Sequence, residues 1–379
     1  MDSIKMVDLK KQYNFIKDEV AHAMKEVLEQ TAFINGPMVQ VFQSDLESYL
    51  QVKHVIPCAN GTDALQIALM SLQLEPGDEI ITADFTFAAT VEVISLLKLK
   101  PILVDVNPKT FNIDPKAIEK AITSKTKAII PVHLFGQAAA MDEILSLAEK
   151  HQLYVIEDNA QGIGANYTFP NGRKAKTGTL GQLATTSFFP SKNLGAYGDG
   201  GAIFTNDNQL AEFIRGIVNH GMYKQYYHDV VGVNSRLDSL QAAVLKVKLQ
   251  YLDFYNERRK EAALKYTQAL ESHPDLLTPF RASDCDSHVF HQYTLRIVNG
   301  KRDDLARYLN EQDIPCGIYY PVPLHRQKAY ADPQTNETAF PVTNQLVQEV
   351  ISLPMHSELD PKQIEYISNN VLTFLDKNK

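Results

Sequence analysis

Two residues of this 379-residue chain have types and surroundings that could do covalent chemistry together. Lys192 sits in TSFFPSKNLGAYGDGGAIFTND (186–207), and Asp158 closes the strand-like run LYVIEDNAQ (153–161) upstream of it. A lysine amine condenses with an aldehyde once a desolvated pocket or a neighbouring cation lowers its pKa. An aspartate beside a pyridine nitrogen keeps that ring protonated as an electron sink. Such a pair is what pyridoxal 5'-phosphate (PLP) asks of a protein. Taken singly, Lys192 reads as a solvated surface lysine and Asp158 as the polar end of a buried strand. Their joint context reverses both readings.

The elements around them must bring the two together. Between about residues 54 and 206, β-rich runs alternate with helical patterns: HVIPCA then DALQIALMSL, DEIITA then AATVEVISLLKL, PILVDV, KAIIPVHL then MDEILSLAEKH, and LYVIED. Runs of this kind, punctuated by Gly, Pro and Asp, read as βα units feeding a mostly parallel sheet, whose ligands lie at the carboxyl ends of its strands. Asn60–Thr62, Asp84–Phe87, His133, Asp158 and Lys192 all fall just after predicted strands, so one crevice can collect them. His133 reads equally well as a residue facing that crevice or as a core histidine. From Ser235 onward Leu240, Val244, Val247, Tyr251 and Phe254 recur at three- and four-residue steps, which predicts one helix with one apolar face running to about Leu270. The remainder, with FHQYTLRIV (290–298), LARYLNEQDIP (305–315) and PKQIEYISNNVLTFL (361–375), predicts a smaller α+β unit. NHGMYKQYYHD (219–229) reads as a loop near the substrate or a subunit interface, with His220 and His228 unassigned, and ADPQTNETAF (331–340) as the most loop-like segment. The expected class is α/β: a large domain over 1–250 with a mostly parallel mixed sheet flanked by helices, and a small C-terminal α+β domain over 251–379.

Composition narrows the function. A net charge of −8 lacks the positive footprint that nucleic acids require. The most apolar stretch, FTFAATVEVISLLKLKPILVDV, is broken by Glu92, Lys98, Lys100 and Pro101, short of the ~20 apolar residues of a membrane span. Cys58, Cys285 and Cys316 have neither disulfide-framework nor metal-site spacing. With no signal-type apolar core near the N-terminus, the expectation is a cytoplasmic protein without a metal.

At this point the chain resembles the DegT/DnrJ/EryC1/StrS sugar aminotransferases, which are PLP enzymes of fold type I. The resemblance spans nearly the whole chain and is carried by CANGTDALQIAL (58–69), FTFAAT (85–90), Asp158, Lys192, GVNSRLDSLQAAV (232–244) and YYPVPLH (319–325) in family order. It implies phosphate contacts from Thr62, Asp63 and Ser187, ring stacking by Phe87, and a bond from Gln161 to the cofactor's phenolic oxygen. It also implies that Asn234 reaches the phosphate of a neighbouring subunit, hence a homodimer with shared active sites. Lys192 then holds the cofactor and shuttles the proton. L-Glutamate is the implied donor and a nucleotide-linked keto-sugar the acceptor. The wording most resembles members that aminate UDP-2-acetamido-2-deoxy-3-oxo-D-glucuronate for bacterial surface polysaccharide, with 3-aminotransferases of dTDP-3-oxo-6-deoxyhexoses as the alternative. Arg236 is the candidate for the sugar carboxylate, and Tyr319, Tyr320 and His325 for neutral sugar contacts; the family pattern has histidine where this chain has Tyr319. Three other readings are weaker: a dehydratase, which would replace Lys192 by histidine; an amino-acid aminotransferase, against which YYPVPLH argues; and a non-catalytic regulatory protein, against which the intact set Thr62, Asp158, Gln161, Ser187 and Lys192 argues.

Overall fold

The computed structural model describes residues 2–280, 287–332 and 336–377. Cys285 and residues 333–335 of the loop-like segment lie outside them. The Asp8 carboxylate accepts from the Lys11 amide and so caps α1 (Leu9–Gln30), which α2 (Pro37–Leu50) follows. The chain then alternates through β1 (His54–Cys58), α3 (Gly61–Ser71), β2 (Glu79–Ala83), α4 (Ala89–Leu96), β3 (Lys100–Val104), α5 (Pro115–Ala121), β4 (Thr126–Ile130), α6 (Met141–His151) and β5 (Tyr154–Asp158). A hairpin of β6 (Asn166–Thr168) and β7 (Lys174–Lys176) precedes β8 (Leu183–Ser187), β9 (Gly201–Thr205) and α7 (Asn208–Ile217).

Seven of these strands form one sheet in the order β1-β9-β8-β5-β4-β2-β3. Only β9 runs against its neighbours. Successive residues of a strand face opposite sides, and here both sides are covered. Ile80, Ile130, Ile156 and Ile203 point into a core shared with α3 and α7. Ile81, Ile129 and Val155 meet Ile118 of α5 and Ile144 of α6, while Val55, Ala184 and Phe204 meet Phe42 and Leu46 of α2. Burial on both faces is why these strands read as continuous apolar runs.

After α7 comes a hairpin of β10 (Met222–Lys224) and β11 (Tyr227–His228), in the segment read from sequence as a loop. The single helix expected from Ser235 to about Leu270 is two: α8 (Ser239–Leu249) and α9 (Leu252–Leu270), broken at Gln250–Tyr251. The periodicity misled because it continued onto the wrong face. Val244 and Val247 are buried in α8, but Phe254 is 51% exposed, and α9 buries Leu252, Tyr255, Asn256, Arg259 and Ala263 instead. The bend turns the chain from the large sheet's core to a separate one, where β12 (Leu276–Leu277), β13 (Tyr293–Ile297), α10 (Arg302–Glu311), α11 (Pro341–Glu349), β14 (Val350–Leu353) and α12 (Pro361–Lys377) follow. There α9, α10 and α12 pack on the three-stranded sheet β12-β13-β14.

Candidate active site

Five parallel strands deliver their carboxyl ends to one cleft of about 670 Å³. β1 brings Asn60, Gly61 and Thr62; β2 brings Thr86 and Phe87; β4 brings Val132 and Phe135; β5 brings Asp158 and Gln161; β8 brings Ser187 and Lys192. The far wall is His291, Gln292, Tyr319 and Tyr320. This clustering follows from the parallel topology, which places every βα turn on the same edge.

Lys192 is partly covered, and loss of solvent brings its amine down to about 8, with the nearby Asp158 charge opposing that fall. Asp158 is buried, and its carboxylate accepts from Thr90 Oγ1 at 2.9 Å and from the Ala160 amide at 3.2 Å. Burial raises its pKa despite these donors. A cationic ring N–H placed against it would relieve that cost, because a buried carboxylate needs a charged partner.

The amino end of α3 forms a second feature. Asn60 caps the helix by accepting the Asp63 amide at 2.8 Å. The first amides of any helix have no intrahelical partner, so those of Gly61 and Thr62 are left for an anion. Ser187 closes this cradle: a Cβ on Gly61 would come within 2.6 Å of the Ser187 Cβ. Ser187 Oγ accepts the Phe189 amide at 3.2 Å, which leaves its own hydrogen to donate. Thr86 Oγ1, at the same cleft, is buried without a protein partner. An acidic group sized for the Gly61–Thr62–Ser187 cradle, joined to a ring reaching Asp158 and an aldehyde reaching Lys192, describes PLP, and the residues fit it.

Aromatic placement separates two phenylalanines that look alike in sequence. Phe85 is 1% exposed in the core, whereas Phe87 is 56% exposed in the cleft, 6.2 Å from the Tyr320 ring. Gln161 is held by the Phe135 amide at 2.7 Å and donates to the Tyr320 hydroxyl at 3.3 Å.

Not every expected residue joins this cleft. Asp63 has its amide tied to Asn60 and does not line it. Asn234 and Arg236 line an adjoining cleft that shares Asn60 and Asp199 with the first. Arg236 there donates to Asn219 Oδ1 at 3.2 Å. His325 is buried elsewhere, paired with Asp84 at 2.6 Å and stacked on Phe340. His133 proves to be a core residue: its Nδ1 accepts the Ala139 amide at 3.1 Å, and its Nε2 therefore donates to Glu157 at 2.9 Å. His220 and His228 are joined to each other through a backbone carbonyl, 2.8 Å from His228 Nδ1, and line no part of the cleft.

Two contributors went unmarked by sequence reasoning. Thr90 lies within FTFAAT, but only the fold aims its hydroxyl at Asp158. His291 belongs to FHQYTLRIV, where the one available signal was a polar His-Gln pair opening an apolar strand.

A model of the DegT/DnrJ/EryC1/StrS aminotransferase family matches residues 14–372. A "pleiotropic regulatory protein" of Geobacillus stearothermophilus is 47% identical over 98% of both chains. The UDP-2-acetamido-2-deoxy-3-oxo-D-glucuronate aminotransferase of Pseudomonas aeruginosa is 44% identical over 96% of this chain and 98% of its own. Among solved structures, a DegT DnrJ EryC1 StrS aminotransferase from Brucella abortus superimposes with a TM-score of 0.93 at 38% identity, covering 98% of this chain and 99% of that one. The chain belongs to this aminotransferase family: it is a PLP-dependent enzyme of fold type I.

Proposed function

We infer that this family member moves an amino group from L-glutamate to the 3-keto carbon of a nucleotide-linked sugar, with UDP-2-acetamido-2-deoxy-3-oxo-D-glucuronate as its substrate on a route to bacterial surface polysaccharide. The observation that carries the aminotransfer reading is the meeting, in one cleft, of a lysine amine brought down to about 8 and a buried carboxylate held by Thr90 and the Ala160 amide rather than by a salt bridge. When bound, the cofactor supplies the aldehyde carbon that takes the amino group and a ring that accepts electrons. In this reading Lys192 holds that carbon covalently and, once released, carries the proton between donor α-carbon and cofactor. Asp158, braced by Thr90, keeps the ring nitrogen protonated. Phe87 covers a ring face and excludes water. Gln161 donates to the phenolic oxygen, and the Gly61 and Thr62 amides with Ser187 hold the phosphate, Asp63 contributing through the first turn of α3.

The Pseudomonas aeruginosa relative supports the uronate reading. A sugar carboxylate calls for a guanidinium, which meets it with two parallel bonds, and among the described residues Arg236 bonds only Asn219, leaving most of its donors free for a ligand. Because Asn234 and Arg236 face the adjoining cleft, we assign them to the site of a second copy: a homodimer with shared active sites, Tyr319 and Tyr320 acting within their own chain. His325 serves by holding Asp84, two residues before Thr86 of the cleft wall. Residues 1–250 form the cofactor-binding unit and 251–379 the smaller one, in a cytoplasmic enzyme. A dTDP-3-oxo-6-deoxyhexose is the second substrate considered. The name of the 47% identical relative favours a regulatory role, but a regulator has no need of a low-pKa lysine facing a buried aspartate.

The test is to load the enzyme with nitrogen from glutamate, mix it with a panel of nucleotide-linked keto-sugars, and follow the products by mass spectrometry. The UDP-3-oxo uronate is expected to react fastest, and its neutral 6-hydroxymethyl analogue ~10²-fold less efficiently. Arg236→Lys should slow the sugar half-reaction while glutamate's half stays nearly intact. Preference for a dTDP-6-deoxyhexose would overturn the uronate; no reaction with any sugar and no bound chromophore would favour the regulator.

A further inference from the structure

The residue after Lys192 is tied to the C-terminal part of the chain by a buried chain of side-chain amides. Asn193 Nδ2 donates to Asn256 Oδ1 of α9 at 2.7 Å and to the Val289 carbonyl at 3.1 Å. Asn256 in turn donates to the Ile163 carbonyl at 3.2 Å. Its approach there depends on Gly164, where a Cβ would lie 2.4 Å from Asn256 Nδ2. With both Nδ2 hydrogens of Asn193 so engaged, its Oδ1 is fixed as an acceptor, and it faces His291 Nδ1 at 3.3 Å.

That arrangement sets the protonation of His291. Its Nδ1 must carry the hydrogen, so Nε2 is left as an acceptor. A second proton is opposed from every side: burial comes first, then the charges of Lys192 and Arg259. Arg259 also pins the segment, donating through Nη1 to the carbonyls of Phe290, His291 and Met355 at 3.1, 3.3 and 3.1 Å. From the other side the Val289 amide donates to the Gly136 carbonyl at 2.9 Å, and a Cβ at Gly136 would come within 2.9 Å of the His291 backbone nitrogen. A buried arginine and a glycine thus hold the backbone of this segment, and an asparagine pair fixes its imidazole, which lines the same cleft as Lys192. Stability alone explains this poorly, since buried polar networks of this sort are costly unless every member is satisfied.

We propose that His291 is a positioning residue for the catalytic lysine: fixed by the Asn256–Asn193 chain as the neutral Nδ1–H tautomer, it offers Nε2 across the shared cleft as the acceptor that orients the Lys192 amine once the amino donor has displaced it. An oriented amine presents its lone pair to the donor α-carbon, while an unoriented one reaches it only part of the time. The proposal rests on Lys192 being the proton carrier.

His291→Asn keeps a donor where Nδ1 stood and removes Nε2, whereas His291→Gln restores an acceptor at the reach of Nε2. Asn256→Ala breaks the chain at its far end. Single-turnover reaction with glutamate, protiated and α-deuterated, is expected to slow ~10–100-fold in His291→Asn and Asn256→Ala, with a larger isotope effect and with cofactor and glutamate binding changed less than ~3-fold. His291→Gln should recover much of the rate. Unchanged isotope effect in His291→Asn, with only lower melting temperature or cofactor content, would make His291 structural and overturn the proposal, even if Asn256→Ala fails to fold. A wild-type enzyme without any α-deuterium effect or capture at Lys192 would instead remove the lysine's assigned role.

Discussion

At the scale of single residues, the chemistry turns on how far the protein lowers one amine. Burial brings Lys192 down and Asp158 holds it up, and burial is the larger influence. Below about 8 the amine is protonated and cannot attack an aldehyde; above it the free amine is present. Capture of PLP by cofactor-free enzyme, followed by absorbance, should therefore accelerate with rising pH and level off above about 8, well below the ~10.4 of a free lysine. Borohydride reduction and peptide mapping should put the adduct on Lys192, and Lys192→Ala should abolish it. The rival lysines Lys174 and Lys176 lie in the β6–β7 hairpin, where Lys176 sits over the Tyr49 ring; an adduct there would refute the assignment. Lys192 and Asp158 were legible in the sequence because their neighbours are distinctive. Thr90 and His291 were not, since a threonine and a histidine acquire a role only from what faces them.

At the scale of elements, the amino end of α3 and the end of β8 meet so closely that one methyl group should matter. Gly61→Ala would push against Ser187 and close the anion cradle. Overpacking of this kind costs ~1–3 kcal/mol, so cofactor affinity should drop ~5–150-fold, measured by equilibrium dialysis of PLP. Ser187→Ala, which removes one hydrogen bond to the charged phosphate, should cost ~1.5–3 kcal/mol. If Gly61→Ala binds PLP as tightly as the wild type, the phosphate is held elsewhere. The βα alternation up to β5 was readable because strands buried on both faces leave unmistakable apolar runs. The break between α8 and α9 was not, because apolar spacing persists through Phe254 while the buried face rotates to Leu252, Tyr255 and Arg259.

At the scale of the whole molecule, Asn234 and Arg236 stand apart from their own chain's Lys192 cleft, and the nearby hairpin exposes Tyr226 and Tyr227, at 82% and 58%. Shared sites in a homodimer predict complementation. Lys192→Ala and Asn234→Asp are each expected to be inactive, yet a heterodimer of the two has one site with neither lesion. After random reassortment about a quarter of the sites should work. Mixed dimers shown by native mass spectrometry but without activity would count against sharing.

The sequence by itself determined the fold class, the cofactor chemistry and the lysine and aspartate that anchor it. Strand periodicity and short turns suffice for the α/β class because they report on nearest neighbours, whereas the cofactor and the roles of Lys192 and Asp158 are implied by the resemblance of their surrounding motifs to a known family. Tertiary structure decided which look-alikes face the cleft: Phe87 but not Phe85, His291 but not His133, Tyr320 but not His325. Each choice depends on side chains from segments far apart in the chain, as when Asn256 holds Asn193 and Asp84 holds His325. The hydrogen bonds that fix a tautomer or bury a charge are made across those distances, so only the assembled fold specifies them.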